Sequence, residues 1–141
     1  MKEPTVLIID DSEFDRYILK RQLQEEGIEA VFEQDDGSSA LAFFEDHEFN
    51  KTLYDGSFPP TVIFLDINMP NTNGFEFLEK FAKIRKNVDA TKTIIMMLSS
   101  SDLIEEKEKA LKYDFVKDYI VKGTQSPKQI VKKIAKLMLS K

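Results

Sequence analysis

The chain alternates, five times over, a short apolar run with a stretch of helical period, and no other feature limits its fold as much. Thr5-Val6-Leu7-Ile8-Ile9 is continuously apolar and rich in β-branched residues, as expected of a strand buried on both faces. Ser12 then offers an N-cap, with Asp15 as an imperfect capping box, and Phe14, Ile18, Leu19 and Leu23 form the buried stripe of a helix that Gly27 ends. A weaker strand over 28–33 leads through Asp35-Asp36-Gly37 to a helix carrying Ala40, Leu41, Phe43 and Phe44. Residues 46–60 read as a long loop containing His47, punctuated by Gly56, Pro59 and Pro60. A third strand, 61–65, ends at Asp66, and a loop over Pro70–Gly74 precedes a helix with Phe75, Leu78, Phe81 and Ala82 inward. A fourth strand, 93–98, ends in Ser99-Ser100-Ser101, and a helix over about 102–113 follows. A short fifth strand, 118–121, ends at Lys122. Ser126-Pro127 then opens a last helix whose inward face is Ile130, Val131, Ile134, Leu137 and Met138. Strands alternating with helices imply an α/β fold, a parallel sheet covered on both faces.

Right-handed crossovers bring every strand's C-terminal end to one edge, where ligands sit in open sheets of this kind. There the sequence collects Asp10 and Asp11, Asp66, Ser99 and Lys122. Three carboxylates crowded together repel one another and call for a cation. With no cysteine in the chain and His47 as its single histidine, the ligands are oxygens, which select a hard ion, Mg²⁺ or Mn²⁺, over zinc. The same two counts exclude a disulfide scaffold and a Cys nucleophile, and leave little room for a Ser-His triad. A net charge of −5 argues against direct nucleic-acid binding. No apolar run approaches the roughly 18 residues of a membrane span. The expectation is a single-domain cytoplasmic protein with no membrane insertion. With a metal neutralising the crevice, one carboxylate becomes a nucleophile toward phosphorus, and the central Asp66 is the best placed to form an aspartyl phosphate. Mg²⁺, the Ser99 hydroxyl and the Lys122 ammonium would serve the phosphoryl oxygens.

These segments resemble the receiver domain of two-component response regulators, in the stand-alone chemotaxis-like form. The resemblance rests on Leu7-Ile8-Ile9-Asp10-Asp11-Ser12, on Phe64-Leu65-Asp66-Ile67-Asn68-Met69-Pro70 with Gly74, on Met97-Leu98-Ser99-Ser100-Ser101, and on Tyr119-Ile120-Val121-Lys122. The Asp36-Gly37 turn with Ala40-Leu41 adds to it. It spans essentially the whole chain, and implies one (βα)5 flavodoxin-like domain over 1–141, with strand order 2-1-3-4-5 and no output domain. It also implies that Asp66 accepts a phosphoryl group from a histidine kinase or phosphotransfer protein. Asp11, Asp66 and the Asn68 backbone carbonyl would bind Mg²⁺ directly, and Asp10 partly through water. Lys122 would pair with the phosphoryl oxygens, Ser99 would move to hydrogen-bond them, and Tyr119 would change rotamer with that move. Asn68 and Ser101 would tune dephosphorylation. A protein of this kind is no enzyme beyond assisting its own phosphorylation and dephosphorylation, and its output is binding to a downstream protein.

The chain departs from the family in places. Gly123 stands where a proline usually follows the lysine, the switch hydroxyl is Ser99 where Thr is commoner, and Ser100 replaces a smaller residue. The last helix carries Lys128, Lys132, Lys133, Lys136 and Lys141 with no acid, while the helix before it has Glu105, Glu106 and Glu108. This reads either as solvated faces or as a partner surface on the fourth and fifth helices. Two rival functions stay open. One is a haloacid-dehalogenase-type phosphatase, which would want a second Asp where Asn68 stands; the other is a receiver-fold scaffold that works without phosphorylation.

Overall fold

The three central strands of the sheet are buried because each is covered on both faces. The computed structural model describes residues 4–69 and 72–139, so Pro70 and Lys141 lie outside the described residues. Five strands, β1 (Val6–Ile9), β2 (Val31–Gln34), β3 (Val62–Asp66), β4 (Ile94–Ser99) and β5 (Val116–Val121), form one parallel sheet in the order β2-β1-β3-β4-β5. The helices are α1 (Glu13–Glu25), α2 (Gly37–Glu45), α3 (His47–Leu53), α4 (Gly74–Ile84), α5 (Ile104–Leu111) and α6 (Pro127–Leu139).

Side chains of successive strand residues point to opposite faces, and each face is filled by a different set of helices. Leu7, Ile9, Ile63, Leu65 and Met97 pack with Ala40 and Phe44 of α2, Phe77 and Phe81 of α4 and Ala110 of α5. Val6, Ile8, Val62, Phe64, Met96 and Leu98 pack with Leu19 and Leu23 of α1 and Ile130 and Ile134 of α6. The result is the doubly wound, flavodoxin-like arrangement. Every loop leaving a strand's C-terminal end opens on the same edge.

Local signals hold at most helix starts. Ser12 Oγ accepts from the Asp15 N–H at 3.1 Å, and Asn73 with Glu76 completes a capping box at α4. Ser126 Oγ accepts from the Gln129 N–H at 3.2 Å, and Gln129 returns the bond to the Ser126 N–H at 2.8 Å.

Four expectations need correction. The 46–60 loop contains helix α3. Its apolar residues, Phe49 and Leu53, face solvent, while the buried contact is polar: Asn50 donates to the Phe43 carbonyl at 2.7 Å. A search for an inward apolar stripe therefore passes over it. In α1, Phe14 and Ile18 are 71% and 37% exposed, because the first turns stand at the edge where the strands have ended. In α4, Ala82 is exposed and Phe77 takes the core position. Strand β5 begins at Val116 because an irregularity between Ile95 and Met96 shifts the register, and the exposed Lys117 interrupts the apolar run.

Gly74 shows how tightly the site loop is packed. A β-carbon there would lie 2.8 Å from the Asp66 carbonyl oxygen and 2.8 Å from Ile67 Cα, both backbone atoms that cannot swing aside. Gly74→Ala should therefore cost about 3 kcal/mol, near the upper end for overpacking, and chemical denaturation would show it.

Candidate functional site

The carboxyl edge brings together the residues that the sequence singled out. Asp10 leaves β1 almost wholly buried, Asp66 ends β3 with 5% of its surface exposed, and Asp11 is open to solvent. One carboxylate oxygen from each of the three lies within 4.8 Å of the others. Lys122 follows β5 and reaches back across the edge. Its Nζ donates to Asp10 Oδ2 at 2.8 Å and to Asp15 Oδ2 at 3.0 Å, and stands 3.8 Å from Asp66 Oδ1.

Asp10 is held on both oxygens. Its Oδ1 accepts from the Ser12 N–H at 2.9 Å while Oδ2 takes Lys122, so the carboxylate is fixed before any ligand arrives. Asp66 is the frustrated member. Burial, reinforced by the Asp10 charge, raises its carboxyl from 3.8 to about 7, against the opposing pull of Lys122 and of the Asn68 N–H. For Lys122, burial pulls the ammonium down. Its hydrogen bonds to Asp10 and Asp15 outweigh that and hold it above its ordinary value.

The Lys122-Gly123 departure has a local cause. Gly123 has φ +83°, a left-handed conformation open to glycine and closed to proline. Beyond it, Thr124 N–H donates to the Val121 carbonyl at 3.2 Å, and Lys122 N–H to the Ser99 carbonyl at 2.7 Å. The turn is thus tied directly to the end of β4.

Ser99, Ser101 and Tyr119 form a chain of contacts. Ser99 is fully buried, and its Oγ accepts from the Ser101 N–H at 3.0 Å. The buried Tyr119 hydroxyl donates to the Ser101 carbonyl at 3.1 Å, and Glu106 Oε1 on α5 is 3.4 Å from it. Burial holds the Tyr119 phenol above its ordinary value. Asn68 is exposed at the mouth of the crevice, which Asp11, Phe75 and Glu106 also line.

Sequence reasoning missed Asp15, Arg16 and Glu106. Asp15 reads as half of a capping box, whereas its carboxylate goes to Lys122. Arg16 Nη1 donates to the Asp10 carbonyl at 2.6 Å and its Nε to Glu33 at 3.2 Å, bracing the end of β1 against β2. Glu106 has no motif around it; only the packing of α5 over Tyr119 reveals it.

The response regulator receiver domain profile matches residues 6–135. The chain belongs to the response regulator receiver family. It is 30% identical over 124 residues to the chemotaxis protein CheY of Bacillus subtilis, covering 86% of this chain and 87% of that one. To the CheY of Thermotoga maritima it is 28% identical, over 94% and 95% of the two chains. A two-component response regulator from Cytophaga hutchinsonii superposes over the full length of both chains with a TM-score of 0.80 at 25% identity. Receiver domains bind Mg²⁺ at an acidic pocket and are phosphorylated by histidine kinases, and this chain carries an acidic cluster of Asp10, Asp11 and Asp66. The donor set fits a hard divalent ion: oxygen ligands alone, converging, with burial and Asp10 disfavouring the Asp66 charge that such an ion would stabilise. No described helix is long and apolar enough to cross a membrane.

Proposed function

We propose that this receiver is a Mg²⁺-dependent phosphoacceptor switch in the chemotaxis-like manner. The observation that carries the reading is the placement of one buried carboxylate, Asp66, beside two further acids and 3.8 Å from a lysine ammonium. Asp11, Asp66 and the Asn68 backbone carbonyl would hold Mg²⁺ or Mn²⁺, with Asp10 acting through water. When bound there, the metal would supply charge neutralisation at Asp66 and at the phosphoryl oxygens.

A phosphohistidine on a kinase or phosphotransfer protein is the donor. An Asp66 carboxylate oxygen attacks phosphorus in line, a new P–O bond forms and the P–N bond breaks. The imidazole nitrogen leaves with the electron pair. Lys122, held beside Asp66, offers its remaining N–H to the transferred oxygens, and Ser99 supplies a hydroxyl donor as its Oγ swings from the Ser101 N–H toward them. The Ser101–Tyr119–Glu106 contacts then carry the change toward α5, a population shift between two arrangements. Leu103 and Ile104, 58% and 70% exposed, offer the downstream protein an apolar surface around α5, with the basic α6 on the opposite face of the sheet. Asn68 and Ser101 flank the path of the hydrolytic water and set the lifetime.

Intact mass after incubation with a small acyl phosphate tests the reading. A gain of one phosphoryl group, dependent on Mg²⁺ and lost in Asp66→Asn, is the expected result. Absence of an adduct and of free phosphate would leave a phosphorylation-independent scaffold. Steady phosphate release from other phosphate esters would mean a phosphatase.

A further inference from the structure

Lys122 has three N–H donors, and two of them are committed before any phosphoryl group is present. One goes to Asp10, the residue just past β1. The other goes to Asp15, a residue on the first turn of α1 that no motif assigns to the site. The rest of the lysine's surroundings hold it loosely. Its side chain is 26% exposed, and the next residue is a glycine with open space around it, so the turn's backbone is tied to β4 but no neighbouring side chain at 123 braces the lysine stem. A lysine stem has four rotatable bonds, and ordering it costs up to about 2 kcal/mol. Two carboxylates on two different elements overcome that flexibility, and they set the ammonium at hydrogen-bond distance from themselves and 3.8 Å short of Asp66.

We infer that Asp15 is a positioning residue for phosphoryl transfer: with Asp10 it anchors the Lys122 ammonium beside Asp66, leaving the third N–H for the incoming phosphoryl oxygens. Asp15 touches neither Asp66 nor the transferred group. It acts through Lys122, and it does what a rigid residue after Lys122 would otherwise do. The local backbone puts it there. Asp15 is the third helical residue after the Ser12 cap, and the Ser12 side chain takes the Asp15 N–H. That bond fixes the backbone of α1 at the turn where its carboxylate leans over the crevice. Because a hydrogen bond and not a charge is the essential part, an amide at position 15 retains the function and a methyl group does not.

The inference rests on the phosphoacceptor reading for its consequence but not for its geometry, so two measurements separate the two. The first needs no phosphate: side-chain relaxation of the Lys122 Cε methylene in wild type, Asp15→Asn and Asp15→Ala. Lys122 should be ordered in wild type and in Asp15→Asn, and mobile in Asp15→Ala, with the thermal midpoints confirming that all three are folded. Equal order in all three overturns the inference. The second is the rate of phosphorylation by a small acyl phosphate at saturating Mg²⁺. Asp15→Ala should slow it about tenfold and Asp15→Asn less than threefold, as expected of a misplaced electrostatic group. A rate in Asp15→Ala equal to wild type, with Lys122 mobile, also overturns it. A wild type that takes no phosphoryl group defeats the phosphoacceptor reading, while the relaxation measurement still decides whether Asp15 anchors Lys122.

Discussion

Asp66→Asn should make the metal-free protein more stable, and the gain should grow with pH. The Asp66 carboxyl is raised from 3.8 to about 7 in the fold by burial and by Asp10. A raised carboxyl binds its proton more tightly when folded than when unfolded. The folded state therefore loses stability as the pH climbs through the window between those two values, and no more beyond it. Each tenfold in proton affinity corresponds to about 1.4 kcal/mol, so the wild type gives up on the order of 2 kcal/mol or more between pH 4 and pH 8. Asparagine keeps the shape and the bond from the Asn68 N–H and discards the charge. In metal-free buffer the variant should match wild type near pH 4 and melt about 5 °C higher at pH 8. Mg²⁺ at 100 times its dissociation constant should add about 2.7 kcal/mol to the wild type and much less to the variant, erasing most of the difference. Equal melting curves across the whole pH range would show that the acid cluster stores no repulsion.

Lys122→Met should act in the opposite sense, although it also removes one charge from the same crevice. Asp10 is 1% exposed, and its Oδ2 faces the ammonium at 2.8 Å. Removing one partner of a buried pair leaves the other charged and without compensation, a loss of about 3–5 kcal/mol where both are fully enclosed. Lys122 is 26% exposed, so about 2–3 kcal/mol is the expected loss at neutral pH in denaturant titrations. The double variant Lys122→Met, Asp10→Asn should recover most of it, because the stranded charge is gone. Phosphorylation by a small acyl phosphate should fall about 10²-fold in the single variant, the usual size for loss of one preorganised electrostatic contact. A single variant as stable as wild type would mean that Asp10 is compensated from elsewhere.

The order of strands and helices, and the edge on which the acids meet, were legible because both depend on signals that repeat along the chain. Apolar runs such as Val6–Ile9 and Val62–Leu65 mark strands covered twice, and the residue that ends each run is placed at the edge by topology alone. What escaped was set by contacts distant in sequence. Phe14 has the spacing of a core residue, yet it lies beyond the end of the sheet, and periodicity says nothing about where the sheet stops. Helix α3 is fastened by a buried amide, Asn50, and by an ion pair between Lys51 and Asp89, neither of which has a hydrophobic signature. Asp15 and Lys122 are separated by 107 positions, so their pairing appears only when the first turn of α1 and the loop after β5 meet at the carboxyl edge of the sheet. The start of β5 was hidden by a register irregularity, which breaks the alternation that sequence reading depends on.

Helix α3 also divides the molecule's surface into two kinds of territory. It joins the C-terminal end of α2 to the N-terminal end of β3, so it lies at the pole opposite Asp66. Residues 52–56 there are exposed, and chain length at such a turn adds little to the entropy of closing the loop. The chemistry of the carboxyl pole is locked to its backbone, by close approach at Gly74 and by a left-handed angle at Gly123, whereas the amino pole holds the exposed residues 52–56 away from it. The Tyr54–Ser57 turn is thus a natural point of attachment, where a fluorophore or a fused module would ride on the molecule while the acid crevice keeps its geometry.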